Sequence, residues 1–154
     1  MKFYKLFLLF SICISPLFGE AKTVNILLIH SYHQGYSWTD SITAGITRNL
    51  SRSEFKVNLS IEYLDAKRIK PDSLYFAHIA DVFNLKYKST KIDCIISCDD
   101  DAFYFLLKYR NMLFRDIPVI AAGLAIKNEP QVEQADQLFG IYDDFKKEYS
   151  FFES

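Results

Sequence analysis

The feature that most constrains this chain is an alternation. Short apolar runs are each followed by a segment with helical spacing, over nearly the whole length. Residues 24–30 (VNILLIH) form a near-continuous apolar run, as in a strand covered on both faces. A polar loop, Ser31 to Gly35, follows, and then Ser37 and Asp40 stand at the spacing of a capping box. The helix this predicts, over 38–50, repeats apolar residues at Trp38, Ile42, Ile46 and Leu50. Residues 55–63 (FKVNLSIEY) alternate with a period of two, so this strand has one polar side and suits a sheet edge. Pro71 opens a second helix with an inner stripe of Phe76, Ile79, Ala80, Phe83 and Tyr87.

The pattern then repeats. Residues 92–97 read as a buried strand. Asp99, Asp100 and Asp101 start a helix with Ala102, Phe105, Leu106, Tyr109 and Leu113 on one face. Residues 117–121 make a fourth strand, broken by Gly123. A polar stretch over 127–137 leads to a fifth strand at 138–142 and a short closing helix. Strand and helix therefore alternate, with no internal repeat and no low-complexity tract. Right-handed crossovers force such a chain into an α/β fold, a Rossmann-like doubly wound parallel sheet with helices on both faces. A polar-sided second strand at the edge fits the order 2-1-3-4-5. In that architecture ligands sit outside the carboxyl ends of the strands, near the switch between strands one and three.

The length of 154 residues suits one domain with a real core and is too short for two ordinary ones. With 50% hydrophobic and 24% charged residues, the composition is globular. A formal charge of −1, with scattered lysines and arginines, lacks the basic excess of a nucleic-acid binder. Lys2 and Lys5 precede an apolar run over 6–18, and Gly19-Glu20-Ala21 places small residues at −3 and −1 of a cleavage site. Pro16 interrupts that run, which is shorter than the roughly 20 residues of a spanning helix. The reading is a secretory signal peptide at 1–21, a single α/β lobe at 22–154, and a periplasmic or secreted location. Of the cysteines, Cys94 and Cys98 follow the leader. Four apart in a strand, their Cα atoms would stand about 13 Å from each other, too far for a disulfide. They are expected as free thiols, and with no second ligand pair nearby no zinc site is expected.

The topology turns loops into site candidates. After strand one come Ser31, Tyr32, His33 and, across the turn, Trp38: a hydroxyl, a phenol, an imidazole and an indole beside a helix N-terminus. After strand three come Asp99, Asp100 and Asp101, of which one or two cap the helix and at least one is left free to meet an ammonium or hydroxyl of a ligand, or a cation. Asp65, with Lys67 and Arg68, lies after strand two at the same edge, where a surface ion pair is the default. Gly123, after strand four, permits a close backbone approach or simply makes a turn.

Missing motifs narrow the chemistry. No Gly-x-Gly-x-x-Gly follows strand one and no Gly-Lys-Ser/Thr occurs, so no nucleotide cofactor is expected. There is no Gly-x-Ser-x-Gly elbow, and Ser31 lacks a histidine brought from elsewhere, since His78 sits mid-helix. Three functions are carried forward. The first is a binding module with no catalytic residue, no cofactor and no metal. The second is an exported small α/β hydrolase using Ser31 or the three aspartates. The third is an adaptor acting through protein contacts.

Four motifs in order resemble a known family. Residues 29–40 (IHSYHQGYSWTD) followed by Gly45-Ile46, 62–68 (EYLDAKR), 99–102 (DDDA) and 118–123 (PVIAAG) look like the signatures of periplasmic substrate-binding-protein-like domains. That family is related to ABC-transporter substrate-binding proteins and to the extracytoplasmic sensors of histidine kinases and diguanylate cyclases. The resemblance spans residues 24–145. It implies one lobe of a type I periplasmic binding fold, with Ser31, Tyr32, His33, Trp38, Asp99 and Asp100 facing the ligand cleft. It also implies a small-molecule ligand and, as partner, an inner-membrane transporter or receptor kinase. Members of the family carry a second lobe, whereas Ser154 falls about where the first lobe would hand over to it, so a single lobe is expected here.

Overall fold

The computed structural model describes residues 22–125, 129–133 and 136–143. The leader and the closing helix after strand five lie outside the described residues. The elements run β1 (Thr23–His30), α1 (Ser37–Leu50), β2 (Lys56–Tyr63), α2 (Ser73–Tyr87), β3 (Cys94–Cys98), α3 (Asp99–Leu113), β4 (Val119–Ala125), α4 (Glu129–Glu133) and β5 (Leu138–Asp143). All neighbouring strands pair in parallel in the order β2-β1-β3-β4-β5, a Rossmann-like α/β sheet as the alternation predicts. β2 is an edge, and its polar-sided alternation is the reason it tolerates that place.

The register matters for everything that follows. His30 pairs with both Tyr63 and Cys98, and Cys98 pairs with Ala122. Strands β1, β2 and β3 therefore stop level with one another, and the chain segments that leave them share one rim.

Alternation along the strands sorts their side chains between two faces. Leu27, Ile29, Ile95, Val119, Ala121 and Leu138 face α2 and α3, and each is buried. The predicted stripes of these helices are the ones used: Ala80 and Phe83 from α2, and Ala102, Phe105 and Leu106 from α3, sit in the core. Phe105 is the centre of an aromatic cluster, with ring centroids 5.3 Å from Phe83, 5.3 Å from Tyr109 and 5.8 Å from Phe76. These edge and tilted arrangements match the ring quadrupoles. The opposite face carries Ile26, Leu28 and His30 under α1, and its margin at β5 leaves Phe139 62% and Ile141 58% exposed.

Several local expectations are corrected. Ser37 does not cap α1; the N-cap is Tyr36, and Asp40 reaches back to accept from Gly35 N–H at 3.0 Å. Asp72, not Pro71, begins α2, accepting from Tyr75 N–H at 2.8 Å. Strand four runs two residues past Gly123, which lies inside it at φ 68° where the register with β5 shifts. A bulge at that position needs left-handed backbone, and glycine adopts it without a Cβ clash. The polar stretch holds a five-residue helix, α4, too short to express a helical period. Among the described residues no helix is long and apolar enough to cross a membrane.

Candidate functional site

The rim is organised from behind by Ser31. Its hydroxyl donates to Cys98 C=O at 2.7 Å and accepts from Ala102 N–H at 2.8 Å. Its backbone N–H also reaches Cys98 C=O, and its carbonyl accepts from Ala66 N–H at 2.8 Å. The first turn of α3 leaves N–H groups without helical partners, and a serine on β1's exit supplies one acceptor. One residue thus ties the exits of β1, β2 and β3 together. Ser31 is fully buried, so the structure puts it behind the rim instead of on it. Its only proton is already given to a carbonyl.

Asp99 and Trp38 face each other across the switch point. The Trp38 indole N–H lies 3.2 Å from both carboxylate oxygens of Asp99, while the indole is 39% exposed. Asp99 takes φ 68°, a left-handed conformation that costs any residue but glycine some strain, though aspartate tolerates it better than most. Asp65, at the exit of β2, also has positive φ, at 58°. Its carboxylate accepts from Arg68 Nε at 2.6 Å and stands 3.5 Å from His33 Nδ1. The Asp65–Arg68 ion pair expected there is present, with the His33 ring alongside it. Asp100 turns the other way and accepts from Ala125 N–H at 3.2 Å, tying α3 to the end of β4.

Next to these carboxylates is an aromatic corner. Tyr32 meets Tyr36 edge to face, with centroids 5.3 Å apart and planes at 83°, and Tyr36 touches the His33 ring at 5.9 Å. Lys67 Nζ lies 4.9 Å from the centroid of Tyr32 and 5.5 Å from that of Tyr36. Burial, and then the charges of Asp99 and Asp101, push the Tyr32 phenol up to about 12, so it stays protonated. Burial and neighbouring Asp100 also raise the Asp101 carboxyl, against the opposing pull of Lys67.

Beneath α1, the imidazole of His30 is buried and stacked on Tyr63 at 5.5 Å. The Thr43 hydroxyl donates to Thr39 C=O at 2.8 Å, which leaves it to accept from His30 Nε2 at 2.9 Å. The neutral ring therefore carries its proton on Nε2 and has a bare Nδ1. Burial lowers its pKa to about 4, offset in part by Asp40. Cys98, behind the same end of the sheet, is a buried free thiol pushed up to about 12 by desolvation and by Asp99, and Cys94 is free as well.

Of the candidates from the sequence, Tyr32, His33, Trp38, Asp65 and Asp99 gather on the rim. Ser31 supports it from inside, Asp100 braces it, and Gly123 shapes the neighbouring strand. Sequence reasoning assigns no role to Tyr36, and it places Asp101 and Lys67 at this edge without the contact to two tyrosine rings that the structure gives Lys67. An aromatic residue in a polar loop was the available signal for Tyr36; nothing local marks the Lys67 contact, because its partners lie on another strand's exit. Among the described residues no group of three or more His, Cys, Asp or Glu side chains is arranged to hold a metal ion. Comparison of the chain with protein-family models, with curated proteins and with solved structures finds no match.

Proposed function

We propose that this chain is a small-molecule binding or sensing module that works outside the cytoplasm. In this reading it is the first lobe of a periplasmic substrate-binding-protein-like domain, serving an uptake system or a signalling receptor. The observation that carries it is the half-exposed Trp38 indole held on the Asp99 carboxylate at the β1/β3 switch point. An aromatic surface and oriented carboxylates at the crevice of a parallel sheet are the ingredients of a small-molecule site. The strand exits that carry these residues are tied together by Ser31 through its buried hydroxyl and its backbone, which favours a low ordering cost of binding.

The test uses a property of the composition: Trp38 is the sole tryptophan. A metabolite panel screened by thermal shift should yield a ligand that raises the melting temperature and changes tryptophan fluorescence. Trp38→Ala and Tyr32→Ala should abolish the shift while leaving the far-UV circular dichroism intact. Stabilisation that persists undiminished in both variants would remove the rim from consideration.

A further inference from the structure

We infer that the Tyr32–Tyr36 corner of the rim is a seat for an organic ammonium group, and that Lys67 occupies it as a built-in competitor. This rests on the reading of the rim as a ligand site, and it names the class of ligand. The two rings stand at 83°, so they present surfaces at a right-angled corner, and the Lys67 ammonium is within 6 Å of both centroids at 4.9 and 5.5 Å. That is the range in which the quadrupole of an aromatic ring attracts a cation. Negative charge lies nearby, since Asp99 and Asp101, and more weakly Asp100, act on the Tyr32 phenol and Lys67 acts on Asp101. Negative charge together with aromatic faces selects a weakly hydrated organic cation. An inorganic divalent ion would demand a shell of oxygen ligands that ring faces cannot supply, and an anion would be repelled.

Lys67 can leave the seat without dismantling the loop that bears it. The turn is closed by backbone contacts from Arg68 and Ile69 N–H to Asp65 C=O, at 3.0 and 2.9 Å, and by the Arg68–Asp65 pair. None of these uses the lysine head group, and Lys67 itself is exposed. A tethered ammonium has a high effective concentration at its own seat, so a free ligand must outcompete it. Displacement also returns rotamer freedom to a long side chain.

Calorimetric titration of the purified full chain with tetramethylammonium chloride, against sodium chloride at matched ionic strength, tests this directly. Lys67→Ala should bind the probe about tenfold more tightly than the wild type, because both the competitor and its like charge are gone. Adding Tyr32→Leu or, as a milder change, Tyr36→Leu to Lys67→Ala should abolish the gain, with circular dichroism reporting that the fold is kept. Equal affinity in wild type and Lys67→Ala, absence of binding in both included, would overturn the seat. So would a gain that survives both tyrosine changes. A metabolite whose binding depends on Trp38, found together with either of those results, would leave the proposed function standing and remove only the ammonium seat.

Discussion

The two faces of the sheet are built to different rules. The face under α2 and α3 is closed and mostly apolar: Phe83, Phe105 and Leu106 lie over Leu27, Ile29 and Ile95, all buried, with the buried Ser97 in the row of Ile29 and Ala121. The face under α1 mixes kinds of residue. Leu28 is fully buried, but beside it lie a neutral His30, Thr39 and Thr43, and the β5 margin ends in exposed Phe139 and Ile141. Within α1 only Thr39 is buried, against six residues of α3. The comparison suggests a division of labour. One face holds the fold together, while the helix on the other carries Trp38 to the rim and remains bound to the sheet by fewer apolar contacts.

The largest blow to that asymmetry should come from the closed face. Phe105→Ala empties the centre of the aromatic cluster and should cost about 3–5 kcal/mol of unfolding free energy in urea. A loss below about 1 kcal/mol would mean that the closed face is not the main store of stability. Acid should act next, through the α1 face. The folded pKa of His30, about 4, lies below its ordinary value of 6.5, so the unfolded chain binds the proton first. Its contribution is complete above pH 6.5 and is lost as pH falls towards about 4. Across that window the loss should be of the order of 2–3 kcal/mol. His30→Phe should remove that part of the slope in a pH series of melting curves, and an unchanged slope would argue that the ring is not held neutral.

Ser31→Ala should have the third effect, about 1–3 kcal/mol, because Ala102 N–H is left buried without its acceptor. Threonine at this position should recover part of the loss, if its added methyl is accommodated. The smallest change is expected at the open margin. Phe139→Ser should alter stability by less than about 0.5 kcal/mol, as for an exposed residue. A cost above about 2 kcal/mol would show that the margin is covered and that the two faces are less different than they look.

Much of this layout was legible in the sequence. The stripes of α2 and α3 follow from periodicity, because a helix pressed on a closed face must repeat its apolar side chains at helical spacing, although the fully buried Phe103 of α3 falls outside the predicted stripe. The stripe of α1 was equally plain, yet its first member, Trp38, turned out to lie on the rim with its N–H on Asp99. Periodicity reports which side of a helix is apolar, and an indole at the helix start can satisfy that pattern while doing polar work. The capping expectations failed for a related reason. Ser37 and the aspartates have the right chemistry to cap a helix, but the α3 N–H groups were met in part by Ser31, from a strand far away in the chain.

The amino-acid sequence alone determined the class of fold, the strand order and the edge from which the candidate site residues emerge. Hydrophobic period and crossover handedness are local or near-local properties, and they leave few topologies open. Which residues share a contact was decided only by the tertiary structure. The Ser31 node, the Trp38–Asp99 pair and the Lys67 ammonium on two tyrosine rings each join segments leaving different strands. Such contacts depend on strand register and on backbone angles such as those of Asp65 and Asp99, and no spacing along the chain encodes those.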